Sequence, residues 1–144
     1  MIDGIILTPL KQFLDARGKV MHMLRTTDAH FQEFGEIYFS TIFPQAIKGW
    51  HLHKKKTCNF TVPIGLVKMV CFDPRSDSLT NGTIQEIFLG PENYQLVTLP
   101  PQVWYGFQGL GPNASLIANC ATHPHDPTEA ERADPFSPDI PYKW

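Results

Sequence analysis

The chain has 144 residues, of which 42% are hydrophobic and 18% are charged, and its formal net charge is −2. These values predict one globular domain spanning residues 1–144, and they exclude a bulk electrostatic attraction to nucleic acid or to an anionic membrane. No apolar stretch approaches the roughly 20 residues that a membrane span needs, and the N-terminal segment lacks the features of a signal peptide, so we expect a cytoplasmic protein. Cys58, Cys71 and Cys120 are widely spaced and odd in number, which argues against a disulfide framework.

Short strand-like segments follow one another along the chain, separated by turns rich in Gly, Pro, Asn and Asp. The predicted strands cover residues 20–25, 36–42, 46–53, 59–64, 66–72, 83–89, 94–99, 103–108 and 115–121. A short helix is predicted at residues 126–132, capped by Asp126 or Thr128. Many short strands together with thirteen prolines predict an all-β, cupin-type jelly-roll barrel. We expect the irregular tail, residues 124–144, to pack on the barrel through its apolar side chains Phe136, Ile140, Tyr142 and Trp144.

Two histidines lie two residues apart in the predicted strand of residues 46–53. Because strand side chains alternate between faces, His51 and His53 point to the same side, which is the interior in a jelly-roll barrel. The spacing resembles that of the cupin metal site, but Cys58 and Tyr105 stand where two further ligands would lie. The pair is therefore interpreted in three ways: as a metal site, as a proton-transfer site, or as two hydrogen-bonded histidines without chemistry.

Six segments, taken in order, resemble motifs of the dTDP-4-dehydrorhamnose 3,5-epimerase family. They are Asp15-Ala16-Arg17-Gly18, residues 34–40, Lys48-Gly49-Trp50-His51, residues 65–75, residues 100–107 and Ile140-Pro141-Tyr142-Lys143-Trp144. No single segment is specific, but six at matching spacing identify the chain as a short, divergent member of this cupin family.

The resemblance implies an epimerase or keto-isomerase that acts on a nucleoside-diphosphate 4-keto sugar in glycan precursor biosynthesis. Such an enzyme needs no metal and no other cofactor, because side chains remove and return a proton beside the ketone. The resemblance assigns the base to His51 and the proton donor to His125. The family's enolate-stabilising lysine falls on Cys58, so Lys56, on the same side of the strand, is expected to replace it.

The resemblance also implies which residues bind the substrate. Arg17 and Lys48 are expected to meet diphosphate oxygens. The remaining binding residues are expected to be Glu36, Tyr38, Ser40, His53, Cys58 and Tyr105.

Several features of the assembly and the site follow from the same resemblance. The family's aspartate that orients the base falls beyond Trp144, so Glu36, Asp73 and Glu86 are the expected replacements. A homodimer formed through the N-terminal strands is expected. Two alternative functions stay open: a non-catalytic cupin that binds nucleotide sugars, and a metal-dependent cupin enzyme that uses His51 and His53.

Overall fold

The computed structural model describes residues 1–144, which form β-strands and no helix, and therefore no helix that could cross a membrane. The strands are β1 (Ile6–Pro9), β2 (Gln12–Asp15), β3 (Gly18–Met21), β4 (Glu36–Ile42), β5 (Ile47–His53), β6 (Cys58–Ile64), β7 (Val67–Phe72), β8 (Ile84–Leu89), β9 (Gln95–Leu99), β10 (Trp104–Gly109), β11 (Ser115–Ala121) and β12 (Ala130–Arg132). Two five-stranded sheets have the orders β1-β9-β6-β11-β4 and β12-β5-β10-β7-β8, and we call them the first and the second sheet. The prediction of an all-β fold is confirmed.

The two sheets face each other across one apolar core. Its members come from both sheets and include Phe60, Val62, Ile117, Met69 and Leu89, all of which are buried. At one end of this core the rings of Phe60, Tyr105 and Phe107 pack with centroids 5.1–5.7 Å apart. This aromatic cluster forms the floor of an open space between the sheets, because the apolar packing ends there.

Strand β5 has two faces with different surroundings. His51 and His53 point into the space between the sheets, whereas Trp50 and Leu52 point to the opposite side of the second sheet. Trp50 is completely buried there, against Val70 and the C-terminal tail. The alternation expected of a strand is therefore what separates the two histidines from the apolar residues between them.

The C-terminal tail covers the outer face of the second sheet. Ile140 is 4% exposed, and the rings of Tyr142 and Trp144 pack on Trp50 at centroid distances of 6.0 and 4.9 Å. The predicted packing of the tail is confirmed for these three residues. It is wrong for Phe136, which is 73% exposed.

Other predicted elements also need correction. The strand predicted at residues 20–25 is instead β3, which pairs with β2 in a hairpin separate from both sheets. The helix predicted at residues 126–132 is absent: a turn leads into β12, which pairs with β5. Sheet pairing takes precedence over local helix preference here, because the edge of β5 offers backbone groups that need partners.

Replacing Trp50 with alanine should lower the free energy of unfolding by about 3–5 kcal/mol, because it empties a fully enclosed site beneath the tail. Phe136→Ala provides the matched control and should change the free energy by no more than about 0.5 kcal/mol, since that ring is mostly exposed. Denaturant titration of both variants measures the difference. Equal losses in the two would contradict the packing of the tail.

Candidate active site

A cavity of about 710 Å³ opens between the two sheets, above the aromatic cluster. This volume falls within the range of about 300–1,000 Å³ that is typical of small-molecule sites. Nine residues predicted from the sequence to act in catalysis or binding line it: Glu36, Tyr38, Ser40, Lys48, His51, His53, Lys56, Tyr105 and His125. The fold thus brings together most of the predicted residues, although they are spread over 90 positions of the chain (Glu36 to His125).

His53 is held by hydrogen bonds at both ring nitrogens. Its Nδ1 lies 2.7 Å from Glu129 Oε2, and its Nε2 lies 3.1 Å from the Tyr105 hydroxyl. Burial opposes ionisation of Glu129, but hydrogen bonds from the backbone N–H groups of Lys55 and Lys56 and from His53 bring its pKa below the usual value. Glu129 is therefore a carboxylate that accepts a hydrogen bond from Nδ1–H, and Nε2 is left to accept a hydrogen bond from the Tyr105 hydroxyl.

His51 stands beside His53 on the same face of β5. Burial lowers its pKa below 6.5, and the positive charge of Arg132, which lies opposite it on β12, lowers the pKa further. Burial also lowers the pKa of His53, against the opposing effect of Glu129. Both rings are therefore neutral near pH 7, and a neutral imidazole can accept a proton.

Lys56 brings a buried ammonium group to the cavity. The residue is only 3% exposed, and its Nζ donates a hydrogen bond of 3.0 Å to Glu36 Oε1. The other oxygen of Glu36 accepts the backbone N–H of His125 at 3.0 Å. An ammonium group has three hydrogens, so two remain available to an anionic oxygen in the cavity.

Further cations surround the opening of the cavity. Lys48 is exposed and bridges to the first sheet, because its Nζ donates to Ser40 Oγ at 3.0 Å. Arg132 lines the same cavity from β12. Since neither has a carboxylate partner, both can meet the negative charges of a phosphorylated ligand.

Two predicted binding residues do not line the cavity. Arg17 lies on the β2–β3 hairpin with a side chain that is 90% exposed, and it pairs with Asp15. Cys58 points into the apolar core at 1% exposure, and burial raises the pKa of its thiol to about 12. A neutral core thiol has no access to a ligand in the cavity of the same chain.

None of the carboxylates expected to orient His51 contacts it. Glu36 binds Lys56, and Asp73 is fully buried with Arg75, Ser78 and Thr80. Glu86 accepts a hydrogen bond from Tyr142 on the outer side of the second sheet. The only carboxylate held against the histidine pair is Glu129, on His53.

The arrangement of the two histidines bears on the predicted metal alternative. No group of three or more His, Cys, Asp or Glu side chains is placed to hold a metal ion. Both nitrogens of His53 already have protein partners, and Cys58, the expected third ligand, is a protonated thiol of the core. The residues present thus do not form the metal site that the histidine spacing resembled.

Sequence reasoning missed Glu129 and Arg132. Both belong to the segment that was predicted to be helical, and Glu129 lies 76 residues from the histidine it binds. No motif or spacing connects positions so far apart. An alternating strand pattern over three residues is also too short to be recognised.

The fold and the cavity define a cupin-type jelly-roll enzyme with interior histidines. The chain matches the family model for dTDP-4-dehydrorhamnose 3,5-epimerase over residues 1–144, and it belongs to that family. It is 43% identical to a dTDP sugar isomerase from Desulfovibrio desulfuricans G20, whose crystal structure superposes with a TM-score of 0.97 and covers 99% of this chain and 92% of that one.

Two curated proteins are also similar. The probable low-salt glycan biosynthesis epimerase Agl13 of Haloferax volcanii is 30% identical over 143 residues, which are 98% of this chain and 88% of that protein. The spore coat polysaccharide biosynthesis protein SpsL of Bacillus subtilis is 29% identical over 146 residues, covering 100% of this chain and 97% of that protein. The predictions of the family, of the jelly-roll fold and of an epimerase or isomerase are confirmed.

The two interior histidines should titrate below pH 6.5, and NMR of their ring signals measures both midpoints. Arg132→Gln should raise the midpoint of His51, because it removes a nearby positive charge, and should leave that of His53 almost unchanged. Since both pKa values are lower in the folded state, the unfolded chain binds protons more readily, so stability falls as the pH drops below about 6.5. A His51 midpoint at or above 6.5 would contradict its burial.

Proposed function

We propose that this protein inverts a carbon next to the ketone of a nucleoside-diphosphate 4-keto sugar, without a cofactor, during the cytoplasmic synthesis of glycan precursors. The observation that carries this proposal is the presence of a neutral imidazole, His51, and a buried ammonium, Lys56, in one ligand-sized cavity. Names of similar proteins support the substrate class, since one is a dTDP sugar isomerase and another a probable glycan biosynthesis epimerase.

The chemistry requires a base and an electrostatic partner for the enolate. His51 takes the proton from the carbon beside the ketone, and the electron pair of that C–H bond moves to the ketone oxygen. Lys56 donates a hydrogen bond to this oxygen as it becomes negative. The reaction is complete when a proton donor on the other side of the sugar reprotonates the same carbon and the ketone re-forms.

The wall opposite His51 must supply that donor. Two side chains of the cavity that carry an imidazole or a phenol stand on the side of the first sheet: His125, which the sequence predicts for this role, and Tyr38 on β4. The binding contacts proposed for the sugar are made by Glu36, Ser40, His53 and Tyr105.

The charged end of the substrate is proposed to lie at the cavity opening. Lys48 and Arg132 both line the cavity and can bind diphosphate oxygens. Arg17, on its exposed hairpin, could join them only from a neighbouring subunit. The proposed dimer would allow such a contact.

A homodimer is proposed from the surface of the β2–β3 hairpin. This hairpin pairs with neither sheet of its own chain, and its side chains Phe13, Leu14 and Val20 are 55–80% exposed. An exposed apolar ribbon with open edges favours contact with a second chain.

Incubation with a dTDP-4-keto-6-deoxyhexose in deuterated water should introduce deuterium beside the ketone and yield an epimer, as followed by NMR. His51→Asn should reduce both the exchange and the product by about 10²–10⁴-fold, because it removes the base. If the sugar raises the melting temperature of the unsubstituted protein but exchanges no deuterium, the cavity is a binding site without catalysis.

Lys56→Met should lower kcat by about 10²–10³-fold, the usual loss for one donor to a developing oxyanion. Lys54→Met is the matched control, because Lys54 is half exposed and lies outside the cavity, and its kcat should stay within about twofold. The melting temperature of each variant establishes that it is folded. Equal kcat values for the two variants would rule out the role of Lys56.

Light scattering should give twice the chain mass for the unsubstituted protein. Leu14→Asp should shift the mass toward that of the monomer, because it places a charge on the apolar hairpin. Leu79→Asp is the matched control: Leu79 is 99% exposed and lies outside the hairpin, so this variant should remain dimeric. A monomeric mass for the unsubstituted protein at micromolar concentration would refute the dimer.

A further inference from the structure

We infer that Tyr38, on the wall opposite His51, is the group that delivers the proton to the carbon from which His51 removed one. This inference rests on the proposed function and names the donor that the function leaves open. It differs from the prediction made from the sequence, which assigned that role to His125.

The position of Tyr38 in the fold fits a donor acting on the face opposite to the base. Tyr38 belongs to β4 of the first sheet, and His51 belongs to β5 of the second sheet. Both line the same cavity, which lies between the sheets. A sugar ring held between these walls has one face toward the imidazole and the other toward the phenol.

The hydrogen bond from Asn119 makes the Tyr38 oxygen an acceptor. Asn119 is fully buried, and its Oδ1 accepts the backbone N–H of Asn59 at 3.0 Å. This contact fixes the orientation of the amide, so Nδ2 is the atom that donates to the Tyr38 hydroxyl at 2.9 Å. The Tyr38 oxygen is therefore an acceptor for Asn119, and its hydrogen can point into the cavity.

Tyr38 is also both accessible and reliably protonated. Its side chain is 38% exposed at the cavity, so a ligand can reach the hydroxyl. Burial of the ring raises the pKa of Tyr38 above 10, and the nearby groups Cys58 and Glu36 raise it further, against the opposing effects of hydrogen bonds with Asn119 and Tyr105. A phenol with this pKa carries its proton throughout the neutral range.

The competing groups are less suited to this role. Tyr105 is 4% exposed, and it lies directly opposite His51 on the neighbouring strand of the same sheet, so it shares the wall of the base. The only contact fixed for His125 is its backbone N–H to Glu36, and no hydrogen bond holds its ring. A donor that must meet one carbon needs a fixed position, which Asn119 gives to Tyr38.

The step balances as a transfer of one proton. The enolate electron pair forms the new C–H bond with the hydrogen of Tyr38, the C=O bond re-forms, and Tyr38 is left as a phenolate. His51 holds the proton removed from the other face. A proton then passes from the His51 imidazolium to the phenolate through water in the open cavity, which restores both groups.

The test compares two rates in deuterated water for Tyr38→Phe, His125→Gln and Tyr94→Phe: deuterium entry beside the ketone and formation of the epimer. Tyr38→Phe should form the epimer at least about 100-fold more slowly. Its rate of deuterium entry should stay within about tenfold of the unsubstituted rate, because His51 still removes the proton and returns a deuteron to the same face, so the carbon retains its configuration. His125→Gln should lose less than tenfold in either rate. Tyr94→Phe removes a tyrosine hydroxyl outside the cavity and should change neither rate.

The outcomes separate the two levels of the proposal. Epimer formation by Tyr38→Phe at the unsubstituted rate, or a parallel loss of both rates in a variant with an unchanged melting temperature, would overturn the assignment of Tyr38. Loss of epimer formation in His125→Gln alone would transfer the role to His125. Absence of deuterium entry with the unsubstituted protein would instead overturn the proposed function itself, and the assignment with it.

The pH profile gives a second, independent readout. The titratable groups around Tyr38 are Glu36, Cys58 and Tyr105. With Tyr38 as donor, epimer formation should persist from pH 7 to about pH 10, because the phenol keeps its proton over this range. A fall in the epimerisation rate between pH 6 and 8, with deuterium entry maintained, would contradict the assignment of Tyr38.

Discussion

The site depends on the alternation of side chains along strand β5. Trp50 is held on the outer face by apolar packing, Leu52 shares that face, and His51 and His53 are therefore directed into the space between the sheets. A shift of this strand by one residue would exchange the two sets, and it would place an indole in the cavity and imidazoles under the C-terminal tail. The last residues of the tail thus contribute to the site without lining it, because Ile140, Tyr142 and Trp144 pack on the outer face of the sheet that carries the histidines.

Charge is distributed so that each buried group has a partner and a definite protonation state. Glu129 is ionised because backbone N–H groups and His53 hydrogen-bond to it, and the buried Lys56 is balanced by Glu36. The histidines are neutral because burial disfavours the imidazolium. The tyrosines are protonated because burial disfavours the phenolate. The cavity therefore holds proton acceptors and donors together, as transfer of a proton to and from carbon requires.

Much of this arrangement could be predicted from the sequence, for reasons that differ from residue to residue. From β4 onward the strands are marked by alternating side chains and by turn residues between them, and the six family motifs occur in order along the chain. The fold, the family and most of the cavity residues could therefore be predicted. Glu129 and Arg132 could not be predicted, since only the pairing of β12 with the edge of β5 brings them to the histidines. Cys58 was misassigned because it aligned with the family's lysine, whereas the structure directs its thiol into the core.

The central claim is that a sugar ring lies between His51 and the first sheet. A crystal structure of the protein with a dTDP-linked deoxyhexose would test it most directly. The account predicts the hexose in the cavity between the sheets, with the carbon beside C4 about 3–3.5 Å from a nitrogen of His51 and the diphosphate near Lys48 and Arg132. A hexose bound outside this cavity, or with both of its faces directed away from the imidazole, would contradict it.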